Sequence, residues 1–249
     1  MSKIDSTSSK NTLYLDIGNS AIKGAYKDGL NWKSLEVDKP VSAERFVRWS
    51  ETNSVSFSEI VVSSVRKDVL EVIQQRLPDI DFQELSVKDI PRRMLNYKTI
   101  DTLGIDRFLA CYGATDQTSK SVVVIDAGTA TTIDFMDENN VYHGGVIAPG
   151  LAGFSEVLPH KAPALPNVEM EIPKAWPGKS TVDSLKWGQA GFYKMAIQGL
   201  LDKYEDEFGS FDLFITGGDG AVIKAMTERE SKLRSFLVFE GMERLKEMR

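Results

Sequence analysis

The sequence predicts an α/β protein made of two related lobes with mixed β-sheets, and three observations predict it. The first is Val122–Asp134, VVVIDAGTATTID, in which four β-branched residues precede an aspartate, a Gly-Thr-Ala-Thr-Thr turn and a second β-branched run. An apolar run without period-2 alternation suits a central strand buried on both faces. The second is an echo near the N-terminus, LYLDIGNSAIKGAYKDG, where Asp16 falls on Asp126, Gly18 on Gly128, Asn19 on Thr129, Ser20 on Ala130 and Lys23 on Ile133. Each copy reads as a strand, Asp-x-Gly, a small polar pair and a second strand, so two hairpins with polar tips are expected to face each other across a cleft. The third is the order β-β-β-α-β-α in the first third of the chain, which marks a mixed sheet with helical crossovers.

Taken in order, the polar stretch 1–12 reads as a tail without an apolar signal segment. The first hairpin follows, and Leu30–Val37 continues it as a third strand. Ser42 is placed to cap a helix over Ala43–Glu51. Ser58–Val65 is a short apolar strand, and Lys67–Leu77 carries Val69, Leu70, Val72, Ile73 and Leu77 at helical spacing before Pro78. Ser86–Leu103 has no period and is rich in basic and aromatic residues. A helix begins near Asp106, whose position in a first turn the helix dipole favours for a purely structural reason as well.

The second lobe is expected over 119–249, the first over 13–118. After the second hairpin, VYHGGVIAPG suggests a strand with close backbone approach and a Pro-Gly turn. Leu151–Leu158 is a short helix and the proline-rich 159–176 a surface excursion. Ser180–Asp183 has the form of a capping box, opening a helix to about Phe208 with Leu185, Gly188, Ala196, Leu200 and Tyr204 inward. Asp212–Thr216 is a strand, Gly217–Gly220 a turn, and Ala221–Thr227 a helix. The charged C-terminal segment reads as helical.

Composition narrows the class. Of 249 residues, 42% are hydrophobic and 27% charged, the balance of a globular protein. A net charge of −6 gives no general attraction to nucleic acid or anionic lipid, so neither partner is expected. One cysteine excludes an internal disulfide and fits a reducing, cytoplasmic setting. Two histidines with that cysteine make no zinc cluster. The chain has no G-x-S-x-G elbow, no GxxxxGK[ST] loop and no GxGxxG fingerprint. What remains is acidic, Gly-rich and hydroxyl-rich loops with Lys23 and Arg107. Phosphoryl transfer uses such parts: donors for phosphate oxygens, carboxylates that hold a metal, and one carboxylate to take a hydroxyl proton.

The ordered set DIGNSAIK, GIDR, DAGTATTID, GGVIAPG, GKST and TGGDG resembles the type III pantothenate kinases, of the actin-like (ribonuclease H-like) superfamily of acetate and sugar kinases. The resemblance runs from Leu13 to the C-terminus. It implies duplicated actin-like domains with the ATP cleft between lobes, and transfer of the ATP γ-phosphate to the hydroxyl of pantothenate, the first step of coenzyme A synthesis. It also implies magnesium with ATP, a monovalent cation (potassium or ammonium) and a homodimer.

Carried over by position, the resemblance makes Asp16, Ile17, Gly18, Asn19, Ser20, Ala21, Ile22 and Lys23 the first phosphate loop. Thr129 contacts ATP, and Gly217 and Gly218 lie near the adenosine. Asp106 is the general base. Tyr97, Gly104, Ile105, Asp106 and Arg107 hold the substrate, with Arg107 on its carboxylate, and Thr181 reaches it from the partner subunit. Asp126 binds the monovalent cation. From the residues alone, Asp16 and Asp126 are both candidates for the main metal holder, and Lys23 faces either phosphate or solvent. Two departures stand out: Ile105 replaces a usual Ala or Pro, and Lys179 replaces a common Arg, losing the bidentate fork. The alternatives are a non-catalytic transcriptional accessory protein of the same fold and a kinase for another small hydroxy acid.

Overall fold

The computed structural model describes residues 12–18, 20–35, 42–52 and 57–249, the side chains of 51 and 52 excepted. The expected tail over 1–12, apart from Thr12, and Asn19 of the first loop lie outside those residues. The described chain divides into two compact units. The first takes the chain up to Pro91 with Thr99–Leu109 and Val238–Arg249, and the second takes Arg92–Lys98 and Ala110–Leu237. The boundary thus falls within a helix, earlier than the expected 118/119, and the C-terminal helix goes with the first unit.

The first unit is built on β1 (Thr12–Ile17), β2 (Ile22–Asp28), β3 (Asn31–Leu35), β4 (Glu59–Ser64) and β5 (Asp81–Leu85), with helices α1 (Ala43–Thr52) and α2 (Lys67–Arg76). Its sheet order is β3-β2-β1-β4-β5. The first three strands are antiparallel, and β4 and β5 run parallel to β1. Alternation along β1 sorts its side chains between two faces. Leu13, Leu15 and Ile17 enter a core with Ile60, Val62, Phe46, Leu70 and Ile73. Thr12, Tyr14 and Asp16 take the other face, in register with Glu59, Val61 and Ser63 of β4. The strand β5, which the sequence reading did not mark, is short, and its DFQEL carries little apolar signal.

Helix α3 (Ile105–Thr115) spans the unit boundary. The second unit repeats the plan with β6 (Val122–Ala127), β7 (Ala130–Met136), β8 (Tyr142–Pro149), β9 (Asp212–Thr216) and β10 (Ser231–Leu233), in the order β10-β9-β6-β7-β8. Read from the hairpin side, this is the first unit's order again: β6, β7 and β8 antiparallel, β9 parallel to β6 and β10 parallel to β9. The duplication inferred from two short motifs therefore extends to whole sheets. One detail of the alignment changes. Asp16 pairs with Lys23, whereas Asp126 pairs with Thr132, because the second turn is one residue shorter. Lys23 thus corresponds to Thr132, and Ile133 enters the core with Val123, Ile125, Ala127, Phe135 and Ile215.

The remaining helices are α4 (Leu151–Lys161), α5 (Thr181–Lys186), α6 (Phe192–Phe208), α7 (Gly220–Met226) and α8 (Leu237–Glu247). Helix α4 runs past Leu158 through Pro159. Proline has no N–H to bond the Ser155 carbonyl, and the Gln189 side-chain amide donates to that oxygen at 3.4 Å. Ser180 caps α5 by accepting from the Asp183 N–H at 3.0 Å. Between α5 and α6, Trp187–Gly191 forms a π-turn that changes the phase of the helix. Tyr193, Ile197 and Leu201 consequently face the core, while Leu200 and Tyr204 pack against it half-buried. Gly188 and Ala196, expected inward, are exposed.

Candidate functional site

In the first unit, chain order and register bring distant residues to one point. Asp16 sits near the C-terminal end of β1, Ser63 and Ser64 end the parallel β4, and the turn Gly104–Asp106 opens α3. Asp16, Gly18, Ser63, Ser64, Val65, Ile105 and Asp106 line one cavity of about 90 Å³. Ligand crevices in α/β proteins form beyond the carboxyl ends of strands, where loops can approach without breaking the sheet. Gly18 N–H donates to the Ala21 carbonyl at 3.0 Å, closing the first turn. Val65 N–H donates to the Ile17 carbonyl at 3.1 Å, holding the end of β4 against β1.

The sequence points to Asp16, Gly18, Ile105 and Asp106. It does not point to Ser63, Ser64 and Val65, because a pair of serines ending an apolar strand is an ordinary pattern. Ser63 is 1% exposed and donates its hydroxyl to Asp16 Oδ1 at 2.9 Å. The other first-loop residues separate by orientation. Ile17 and Ile22 are core side chains, so only their backbone can meet a ligand. Ser20 and Lys23 are exposed and Ala21 half-buried.

Asp106 and Arg107 occupy the first turn of α3, and Arg107 N–H donates to the Gly104 carbonyl at 3.2 Å. Gly104 is needed for space: a Cβ there would stand 2.6 Å from Asp106 Oδ1. The Asp106 carboxylate lies back over that glycine, half-buried, on the cavity wall. Arg107 is 7% exposed, burial that an arginine tolerates only with partners for its guanidinium.

In the second unit, Asp126 is flanked on its face of the sheet by Thr132 of β7 and Thr216 of β9. Gly217 (φ +90°) follows Thr216 directly. Only a residue without Cβ fits there, since a Cβ would run into the Ala127 carbonyl and the Asp126 carboxylate. The Asp219 N–H donates to the Ala127 carbonyl at 2.9 Å, so the GGDG turn is fastened to the end of β6. Thr129 is exposed at the hairpin tip, and its carbonyl accepts from Gly150 N–H at 3.1 Å. Gly218 has open space around it. Tyr97 belongs to this unit as well: Asn96 N–H donates to the Tyr142 carbonyl at 2.9 Å, and the Tyr97 and Tyr142 rings lie 5.9 Å apart. Thr181 opens α5 and is exposed.

Two features of the motifs are structural. Asp134, the last residue of DAGTATTID, is 1% exposed and accepts from the Tyr142 hydroxyl at 2.8 Å. The Tyr193 hydroxyl lies 2.6 Å from Thr131 Oγ1 and 3.2 Å from the Pro149 carbonyl, tying α6 to β7 and β8, and burial pushes that phenol up. Among the described residues no three His, Cys, Asp or Glu side chains gather as a preformed metal cluster. No helix among them is long and apolar enough to cross a membrane.

The family model for type III pantothenate kinase matches residues 12–203. A type III pantothenate kinase of Flavobacterium johnsoniae is 33% identical over 208 residues, covering 83% of this chain and 85% of its own. One from Sulfurihydrogenibium is 27% identical over 246 residues, covering 92% and 97%. Among solved structures, a conserved Campylobacter jejuni protein described as a Baf family transcriptional activator superposes with a TM-score of 0.63 at 26% identity, covering 95% of this chain and 98% of its own. The PilM–PilN type IV pilus biogenesis complex matches at a TM-score of 0.53 and 10% identity, covering 94% and 98%, a likeness of fold alone.

Proposed function

The chain belongs to the type III pantothenate kinase family, has its duplicated actin-like fold and is an ATP-dependent kinase of pantothenate, and we propose that Asp106 is its general base. The observation that carries this assignment is the cavity that Asp106 shares with Asp16. Phosphoryl transfer is mostly positioning and charge neutralisation, so a carboxylate that orients the hydroxyl and accepts its proton late is sufficient. Arg107, next to it in the first turn of α3, pairs with the carboxylate of pantothenate; Tyr97 is a further proposed substrate contact.

Asp16, with the backbone of Gly18, Ser20 and Ala21, faces the phosphates. A magnesium ion arriving with ATP would neutralise phosphate charge when bound. The donors present fit it: such ions take one or two carboxylates and complete their shell with phosphate oxygens and water. Asp16 supplies a hard oxygen ligand of that kind, with Ser63 and Ser64 beside it. Asp126, between Thr132 and Thr216, is the holder for a monovalent cation, which oxygen donors of this type suit. Gly217 and Gly218 lie near the adenosine and Thr129 near the phosphates.

The protein works as a homodimer in the cytoplasm. Supporting the dimer, Phe192 and Met195 are 62% and 58% exposed on α6, on the same helical face as Gly188 and Gly199. Phe154 stacks on Phe192 with ring centroids 6.0 Å apart, which extends the apolar face onto α4. A face of that kind is what a partner covers, and Thr181 would reach the acceptor site of the other copy.

The test is ADP release dependent on both ATP and pantothenate, with potassium or ammonium exceeding sodium. Asp106→Asn should lower kcat by about 10²–10⁴-fold, and full turnover in that variant removes Asp106 as the base. The description of the Campylobacter structure supports a second reading, a transcriptional accessory protein. Tight binding to promoter DNA without kinase activity would favour it. The retained set Asp16, Asp106, Arg107 and Asp126 favours the enzyme.

A further inference from the structure

We propose that His143 is a positioning residue for Tyr97, fixing through Asn96 the segment that presents this tyrosine to the substrate. The substrate role of Tyr97 rests on the kinase reading; the arrangement that holds the tyrosine does not.

Register singles out His143. Phe135 pairs with Gly144 and Met136 with Tyr142, so His143 is an extra residue, a bulge in β8. The equivalent pair in the first unit, β2 and β3, keeps an unbroken register from Gly24 opposite Leu35 to Asp28 opposite Asn31. The plan shared by the two sheets therefore does not require the bulge. Bulges interrupt a ladder to re-aim a side chain, and they are frequent next to active sites. Here the imidazole is aimed at two partners: Asp137 Oδ2 lies 2.8 Å from Nε2, and Asn96 Nδ2 lies 3.1 Å from Nδ1. An amide nitrogen only donates, so Nδ1 accepts from Asn96 and Nε2 carries the proton given to Asp137. The Phe135 and Phe208 rings, with centroids 5.6 and 5.7 Å from that of the imidazole, limit its rotation.

Asn96 connects this arrangement to Tyr97. Arg92–Lys98 belongs to the second unit, although the chain on both sides of it belongs to the first. Its place beside β8 depends on the contacts it makes there. The backbone supplies a bridge between Leu95 and Tyr142, and the Asn96 N–H donates to the Tyr142 carbonyl at 2.9 Å. The Asn96 side chain adds its bond to His143, so one residue is held twice, by consecutive residues of β8. Tyr97 follows directly, half-buried, with its ring 5.9 Å from that of Tyr142. Gly144 (φ +89°) leaves room for it, since a Cβ there would stand 3.1 Å from Tyr97 Cε2. The bulge thus sets both the anchor of the segment and the floor under the tyrosine. A side chain ordered before the substrate arrives removes that ordering cost from binding, so the effect belongs in KM.

The experiment uses the full chain labelled with meta-fluorotyrosine, the Tyr97 fluorine resonance being assigned by its loss in Tyr97→Phe. Two variants should shift that resonance: Asn96→Ala, at an exposed position, and His143→Gln, which reaches toward Asp137 but offers no acceptor at the place of Nδ1. His143→Asn, which keeps an oxygen at that place, should hold it near the parent position. In kinetics, Asn96→Ala and His143→Gln should raise KM for pantothenate about three- to tenfold, the effect of one net hydrogen bond, with kcat within about twofold. His143→Asn should restore most of that loss. In a Tyr97→Ala background, adding His143→Gln should raise KM no further. A Tyr97 resonance unmoved in both Asn96→Ala and His143→Gln overturns the proposal, as does an equal shift in His143→Gln and His143→Asn. The full effect of His143→Gln persisting in Tyr97→Ala overturns it too. If His143→Gln does not fold, Asn96→Ala carries both readouts. Failure of the kinase reading has a different signature: the parent does not phosphorylate pantothenate, while the fluorine shifts are as expected. That result removes the substrate role of Tyr97 and leaves its anchoring by His143 standing.

Discussion

At the scale of single residues, the contest at the candidate site is between side chains competing for one small volume. Gly104 precedes Asp106 by two positions, and the carboxylate occupies the space that a side chain at 104 would take. Gly104→Ala should therefore push the carboxylate off its place rather than unfold the helix. A displacement of about 1 Å in a catalytic group can cost about 10²-fold in rate. The expected outcome is a fall in kcat of that order with an unchanged melting temperature, measured by ADP release and circular dichroism. Residue types at this scale were readable in the sequence: Asp16, Gly18, Ile105 and Asp106 were all named and all line the cavity. Which way each side chain points was less readable. Ile17 and Ile22 flank the loop in sequence, yet strand alternation sends both into the core.

At the scale of elements, turns and helix phase decide what the strands present. The β7–β8 turn is organised by Asp137. Its carboxylate accepts from the N–H groups of Asn139 and Val141, each at 2.9 Å, and meets His143 Nε2 at 2.8 Å. Burial raises this carboxyl, but the His143 ring and the two backbone donors outweigh burial and hold it below its ordinary value. A carboxylate depressed in this way stabilises the fold above its unfolded value of about 4, and that contribution disappears as pH falls through the lower folded value. The melting temperature of the parent should exceed that of Asp137→Asn at pH 6, and the gap should close on acidification below about pH 4.

The GGDG turn makes a second element-scale prediction. Gly217→Ala places a Cβ against the Ala127 carbonyl at φ +90°. It should cost about 1–3 kcal/mol in urea unfolding, whereas Gly218→Ala, with open space around it, should cost less. Helix phase was the least readable feature here. The π-turn over Trp187–Gly191 is a matter of hydrogen-bond partners that no residue pattern announces, and it moved Gly188 and Ala196 to the surface.

At the scale of the whole molecule, the exposed face of Phe192 and Met195 carries the prediction. Phe192→Asp should convert a dimer to a monomer by light scattering and, if Thr181 acts in the partner's site, reduce activity with it. A parent chain that is monomeric and fully active would remove both the interface and Thr181 from the proposal. By itself the sequence determined the duplicated α/β plan, the two Asp-x-Gly hairpins and the family, because strand periodicity and ordered motifs are local properties of the chain. Only the tertiary structure decided that Ser63 stands on Asp16, that Thr132 and Thr216 flank Asp126, and that the C-terminal helix joins the first unit. Those are consequences of strand register and packing between segments far apart in the chain, which no local pattern encodes.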